Sequence, residues 1–132
     1  MANLSSPRNT VTVGPQLYGT SQPLDQDGYV VEGCLVGSHD GYANDISLAD
    51  GYCLGIANRS AANDADGNAA GDASCVALSG RFMLDGTLGQ ADVGKDVYAS
   101  DNHTVALSGT VKVGRLVAID LDSGQLVVEV IG

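Results

Sequence analysis

From Tyr29 onward, short runs of Val, Leu, Ile and Tyr alternate with breaks built from Asp and Gly. This is the pattern of β-strands separated by turns. Candidate strands cover residues 29–36, 45–49, 52–57, 75–84, 95–99, 104–107, 110–119 and 125–131. No stretch sustains the 3.6-residue period of an amphipathic helix. None offers the long helical crossover that parallel strands require. The pattern predicts an all-β fold, a small antiparallel β-barrel or β-sandwich.

Local punctuation supports this. Asp-Gly-Tyr occurs at Asp27-Gly28-Tyr29, Asp40-Gly41-Tyr42 and Asp50-Gly51-Tyr52. Each is expected to be a turn, with Gly supplying positive φ and Tyr opening a strand. Near the C-terminus, 110–119 and 125–131 flank Asp120-Leu121-Asp122-Ser123-Gly124 and read as a β-hairpin. Gly114 interrupts its first strand, which marks a bulge or a close backbone approach. Residues 1–26 hold all three prolines (Pro7, Pro15, Pro23) and few large apolar side chains, so they read as an extended N-terminal arm ahead of a 27–132 domain. Thr10, Val11, Thr12 and Val13 form a short candidate strand in that arm. Residues 58–74 contain no large apolar side chain and read as one long exposed loop, longer than compact domains usually tolerate without a purpose.

Composition narrows the functions. The 132 residues are one domain's worth of chain, long enough to bury a core without disulfides or metal. Sixteen acidic residues against six basic ones give a net charge of −10, the wrong sign for a nucleic-acid partner or an anionic membrane. Fourteen of the acids are Asp and two, Glu32 and Glu129, are Glu, which suits turns better than helices. No apolar run approaches the roughly 20 residues of a membrane helix, and residues 1–7 lack the basic start and apolar core of a secretory signal. Cys34, Cys53 and Cys75 lie in apolar runs and read as small buried hydrophobes, suited to a reducing compartment.

Candidate chemistry is sparse. His39 and His103 both sit in turn-like sequence and are expected to be solvated. There is no G-x-S-x-G motif and no C-x-x-C spacing. Asp64-Ala65-Asp66-Gly67 is similar to part of an EF-hand loop but lacks its later acidic ligand. Gly86-Thr87-Leu88-Gly89 and Gly94-Lys95 do not make a phosphate cradle. No enzyme activity, cofactor or metal is expected. The basic residues are spread singly, and Arg59, Arg81 and Arg115 are candidates for pairing with acids on a neighbouring subunit.

An ordered set of short motifs adds a resemblance. Gly51-Tyr52-Cys53-Leu54-Gly55-Ile56-Ala57, Gly80-Arg81-Phe82-Met83-Leu84, Gly94-Lys95-Asp96-Val97-Tyr98 and Gly114-Arg115-Leu116-Val117 are closed by Leu126-Val127-Val128-Glu129-Val130. Their order over residues 29–131 resembles the small capsid decoration (cement) proteins of tailed phages. The longer 58–74 loop and the extended arm depart from that pattern. The resemblance implies a compact β-barrel or β-sandwich, made in the host bacterial cytoplasm and carried on the outside of the virion. It also implies homotrimers at three-fold and quasi-three-fold sites, with the major capsid protein as partner. Thr10, Val11, Thr12, Val13, Arg59, Arg81 and Arg115 are then the expected subunit or capsid contacts. A monomeric β-sandwich module for surface glycans or cations is the alternative.

Overall fold

A computed structural model describes residues 18–49, 51–63 and 69–130. Along the chain they form β1 (Tyr18–Pro23), β2 (Tyr29–Val30), β3 (Leu35–His39), β4 (Tyr42–Asp45), β5 (Cys53–Ala57), β6 (Ala61–Ala62), β7 (Ser74–Leu84), β8 (Asp96–Ala99), β9 (Val105–Ala106), β10 (Lys112–Ile119) and β11 (Leu126–Val130). Helical structure among the described residues is limited to two single 3-10 turns, Ile46–Leu48 and Gln90–Asp92. The fold is all-β, as the alternating pattern predicts.

One antiparallel sheet runs β4-β3-β5-β7-β11-β10-β8-β9, with β1 added beside β7, while β2 pairs separately with β6. The 11-residue β7 is its spine. Residues 74–79 pair with β1 and residues 80–84 pair with β11, while β5 lies along the opposite edge at Ala77 and Leu78. The sheet curls into a half-barrel. Two seams hold the curl. At one, β4 returns against the end of β1, where the Asp25 amide donates to the Ala43 carbonyl at 2.9 Å. At the other, the Leu35 amide donates to the Asn102 carbonyl at 2.7 Å, and Asn102 Nδ2 donates to Asp45 Oδ2 at 2.7 Å.

The curl creates two cores separated by β3 and β5. The larger contains Leu35, Ile56, Phe82, Leu84, Leu116 and Val128; the smaller contains Leu24, Cys34, Val36, Ala57 and Cys75. Neighbouring residues of a strand point to opposite faces. Leu35 therefore enters one core and Val36 the other, and Ile56 and Ala57 divide in the same way. β7, by contrast, alternates exposed and buried residues over most of its length.

Several expected boundaries move. The 29–36 run is not one strand: a turn carrying Gly33 at φ 87° separates β2 from β3, closed by the Cys34 amide on the Val31 carbonyl. Residues 46–48 form a 3-10 turn, because Asp45 caps it by accepting from the Ser47 amide and hydroxyl. Residues 18–23 of the expected arm are a sheet strand, held by backbone pairing that a run with Tyr18 as its one large side chain does not advertise. The described parts of the expected 58–74 loop are also tied in. Its Ala61 and Ala62 pair with β2, and buried Asn63 donates from Nδ2 to the carbonyls of Asp25 and Ala69.

The three Asp-Gly-Tyr copies do different work. Asp40 and Gly41, at φ 51° and 84°, make the two-residue turn between β3 and β4. In the first copy Asp27, not Gly28, takes positive φ. In the third, Gly51 lies against Ser38, whose hydroxyl accepts from the Tyr52 amide. The C-terminal hairpin stands as expected, with β10 paired to β11. Gly114 sits at a register shift against β8, where a Cβ would overlap the Glu129 carbonyl, so both features expected of it are present.

Candidate functional site

β7, β11, β10 and β8 lie side by side, and their alternation sends every second side chain outward. Register then decides which outward residues meet. Arg81 faces Glu129, Glu129 faces Arg115, and Arg115 faces Asp96. Arg81 Nε lies 3.5 Å from Glu129 Oε2, and an Arg115 terminal nitrogen lies 3.6 Å from Glu129 Oε1. One carboxylate thus holds two guanidinium groups. On the neighbouring rung, Lys112 Nζ is 3.3 Å from Asp96 Oδ2. Three of the chain's six basic residues therefore stand on one face of a strongly acidic protein. Arg81 and Arg115 remain about half exposed while paired, so each guanidinium still faces solvent.

Arg59 is not part of this ladder. It follows β5 and lies at a groove of about 310 Å³ lined by Ser60, Ala61, Cys75 and Val76. It pairs with no carboxylate among the described residues. Thr10, Val11, Thr12 and Val13 lie outside the described residues, as does the EF-hand-like stretch from Asp64 to Gly67.

Other outward features come from loops. The hairpin tip is a tightly bonded turn: the Ser123 hydroxyl donates to Asp120 Oδ2 at 2.6 Å, and the Gly124 amide donates to the Asp120 carbonyl at 2.8 Å. The Ser123 hydroxyl, ahead of the other influences, lowers the Asp120 carboxyl below its ordinary range. This turn holds Leu121 in solvent at 91% exposure. Tyr52, at 73%, and Leu48, at 54%, project from the connection ahead of β5.

His103 contradicts the expectation of a solvated turn residue. It is 1% exposed, and its Nδ1 lies 3.1 Å from Asp85 Oδ2. The other Asp85 oxygen accepts from Gln125 Nε2 at 3.2 Å. Backbone bonds reinforce the junction, from the Asp85 amide to the His103 carbonyl and from the Val105 amide to the Asp85 carbonyl. With Asn102 and Asp45, these residues form a polar clasp between the exit of β7, the turn after β8 and the β3–β4 region. Sequence reasoning misses it, because its members are far apart along the chain and carry no shared motif. His39 is partly exposed, with Nδ1 2.8 Å from Asp25 Oδ2.

The three cysteines are free and buried, as their apolar surroundings predict. Burial is the main cause that pushes the Cys34 and Cys53 thiols up to about 12 and the Cys75 thiol up to about 11. These are poor nucleophiles at neutral pH. Among the described residues, no group of three or more His, Cys, Asp and Glu side chains is placed to hold a metal ion. No described helix is long and apolar enough to cross a membrane.

Comparison of the chain with family models, with curated proteins and with solved structures finds no match. The resemblance drawn above therefore rests on the ordered motifs themselves. The fold puts the centres of those motifs on β5, β7, β8, β10 and β11, which are consecutive strands of the sheet apart from the order of the last three.

Proposed function

We propose that the chain is a structural decoration protein that binds the outside of a tailed-phage capsid, as trimers at three-fold and quasi-three-fold sites, and stabilises the shell. The observation that carries the reading is the Arg81–Glu129–Arg115 ladder. With Asp96 beside Arg115, it is a charged face four strands wide on a small β body, with its cations half exposed. Such a face suits docking onto a large surface. The buried polar groups nearby join segments of the fold to one another. Binding of this kind draws on contact area and on several linked copies acting together. The ordered motifs supply the choice of a capsid as that surface.

The test is cosedimentation of the purified chain with shells of its own phage that lack it, followed by electron cryomicroscopy of the decorated particle. Density at three-fold positions is the expected result, and a chain that stays in the supernatant at every concentration overturns the reading. The contribution of Thr10, Val11, Thr12 and Val13 is tested by removing residues 1–17. A cut after residue 20 would also remove the start of β1, which pairs with β7 from Tyr18 onward. Shell binding should fall while the melting temperature holds.

The exposed Tyr52 and Tyr29 favour one competing reading, a glycan-binding module. Aromatic faces in solvent suit stacking on sugars. A glycan that raises the melting temperature in proportion to its concentration would support that reading.

A further inference from the structure

We infer that the β10–β11 hairpin tip of one copy seats in the Arg59 groove of a second copy, a head-to-tail contact between identical chains. The inference rests on the self-associating part of the proposal above and supplies the contact which that part leaves open.

The tip is a preformed knob. Its turn is fixed by the Asp120 and Ser123 bonds, so Leu121 is presented without ordering a loop on binding. At 91% exposure, Leu121 is the most exposed of the large hydrophobic side chains among the described residues. Asp122 stands beside it, exposed to solvent. The groove has the opposite character. Ala61 and the 40%-exposed Val76 supply apolar surface, and Arg59 supplies a cation with no carboxylate partner among the described residues. Its volume of about 310 Å³ is ample for one leucine side chain. Leu121 would cover Val76 while Asp122 meets the Arg59 guanidinium. Charge and polarity both match.

Position rules out an internal contact. The groove lies at the start of β7, with Cys75 and Val76 on its wall. The hairpin tip lies beyond the end of β7, where Leu126 pairs with Leu84. An 11-residue strand at about 3.3 Å per residue separates them by roughly 35 Å. Knob and groove therefore find each other only between molecules. A contact joining different patches generates a closed ring if the rotation closes, and an open chain of subunits if it does not.

The test is sedimentation equilibrium of the purified full chain without shells, so that its outcome is separate from capsid binding. The wild type should show concentration-dependent association. Leu121→Asp, at a fully solvated position, should weaken it about tenfold to a hundredfold, the worth of burying one leucine. Arg59→Glu and Asp122→Arg should each weaken association, and the two combined should restore it. The decisive arm mixes Leu121→Asp, whose groove is intact, with Val76→Asp, whose knob is intact. Each alone should be monomeric, and together they should form a one-to-one dimer and nothing larger. Circular dichroism and melting checks that each variant is folded. A wild type that remains monomeric, or a Leu121→Asp protein that associates like the wild type, overturns the inference. So does a mixture that forms no dimer.

Discussion

The wall formed by β3 and β5 and the face formed by β7, β11 and β10 belong to one sheet but obey different rules. The wall has a core on each side, so adjacent residues such as Leu35 and Val36 are both buried. The face has a core on one side only, so Phe82 is buried while its neighbour Arg81 stands outside with Glu129 and Arg115. A strand covered on both faces loses its polar alternation, and its edges must be closed by other means. Here the means are polar: Asn102 reaches both the Leu35 amide and the Asp45 carboxylate. Half of the molecule is thus organised by side-chain alternation and half by a few long-range hydrogen bonds.

The largest expected effect breaks the one-sided half. Phe82 is among the largest fully buried side chains and fills the core that both regions share. Phe82→Ala should cost about 4 kcal/mol of stability, measured by urea denaturation. A loss below about 1 kcal/mol would mean that the larger core can collapse around the gap. It would then not be the common support of the two regions.

The next effect breaks the two-sided half. Asn102→Ala leaves the buried Asp45 oxygen without its 2.7 Å donor and should cost about 2–3 kcal/mol, more than an ordinary exposed substitution. Hydrogen exchange should also show where the damage falls. The Leu35 amide, which donates to residue 102, should lose protection before the amides of β11 do. Uniform loss across the sheet would show that the clasp is no more local than the core.

These cases also explain what was legible from sequence. Most of β7 was readable because exposure alternates along it with polarity, and the hairpin of β10 and β11 because two Val- and Leu-rich runs flank an Asp, Ser and Gly turn. The role of Gly114 was readable because a glycine inside such a strand has few other reasons to be there. β1 was not readable: Tyr18–Pro23 carries Gly, Thr, Ser, Gln and Pro, and it joins the sheet through backbone pairing with β7. The clasp was not readable either. Asp45, Asp85, Asn102 and His103 each occur in turn-like sequence, and only the curl of the sheet brings them inward. Of the expected contact residues, Arg81 and Arg115 meet on Glu129. No sequence spacing predicts that meeting, since it depends on the register of three strands.

A pH series tests the burial that the two cores have in common. The thiols of the smaller core, Cys34 and Cys75, and that of Cys53 in the larger one are all raised, chiefly by burial, from an ordinary 9.0 to between about 11 and about 12. Above pH 9 the unfolded thiols release protons that the folded ones retain. Stability from this source is therefore complete below pH 9 and is lost as pH rises toward the folded values. The melting temperature should fall on the alkaline side, and fall less steeply in a variant with all three cysteines replaced by Ala. Parallel slopes for the two proteins would show that other groups govern the alkaline limb.

The smallest effect on stability belongs to the charge ladder, and its smallness is informative. Replacing Arg81 and Arg115 by Ala removes two half-exposed ion pairs to Glu129, each worth less than about 1 kcal/mol. The melting temperature should barely move, and raising the salt concentration should remove what difference there is. On shells the same change should be amplified. If three linked copies engage together, a loss of about 1 kcal/mol per copy becomes about 3 kcal/mol for the trimer, more than a hundredfold in affinity. A protein as stable as the wild type that no longer decorates shells would show that the one-sided half of the sheet leaves its outer face for a partner. Unchanged decoration would instead assign the ladder to the fold alone and return the search for the docking surface to the loops around Tyr52 and Leu48.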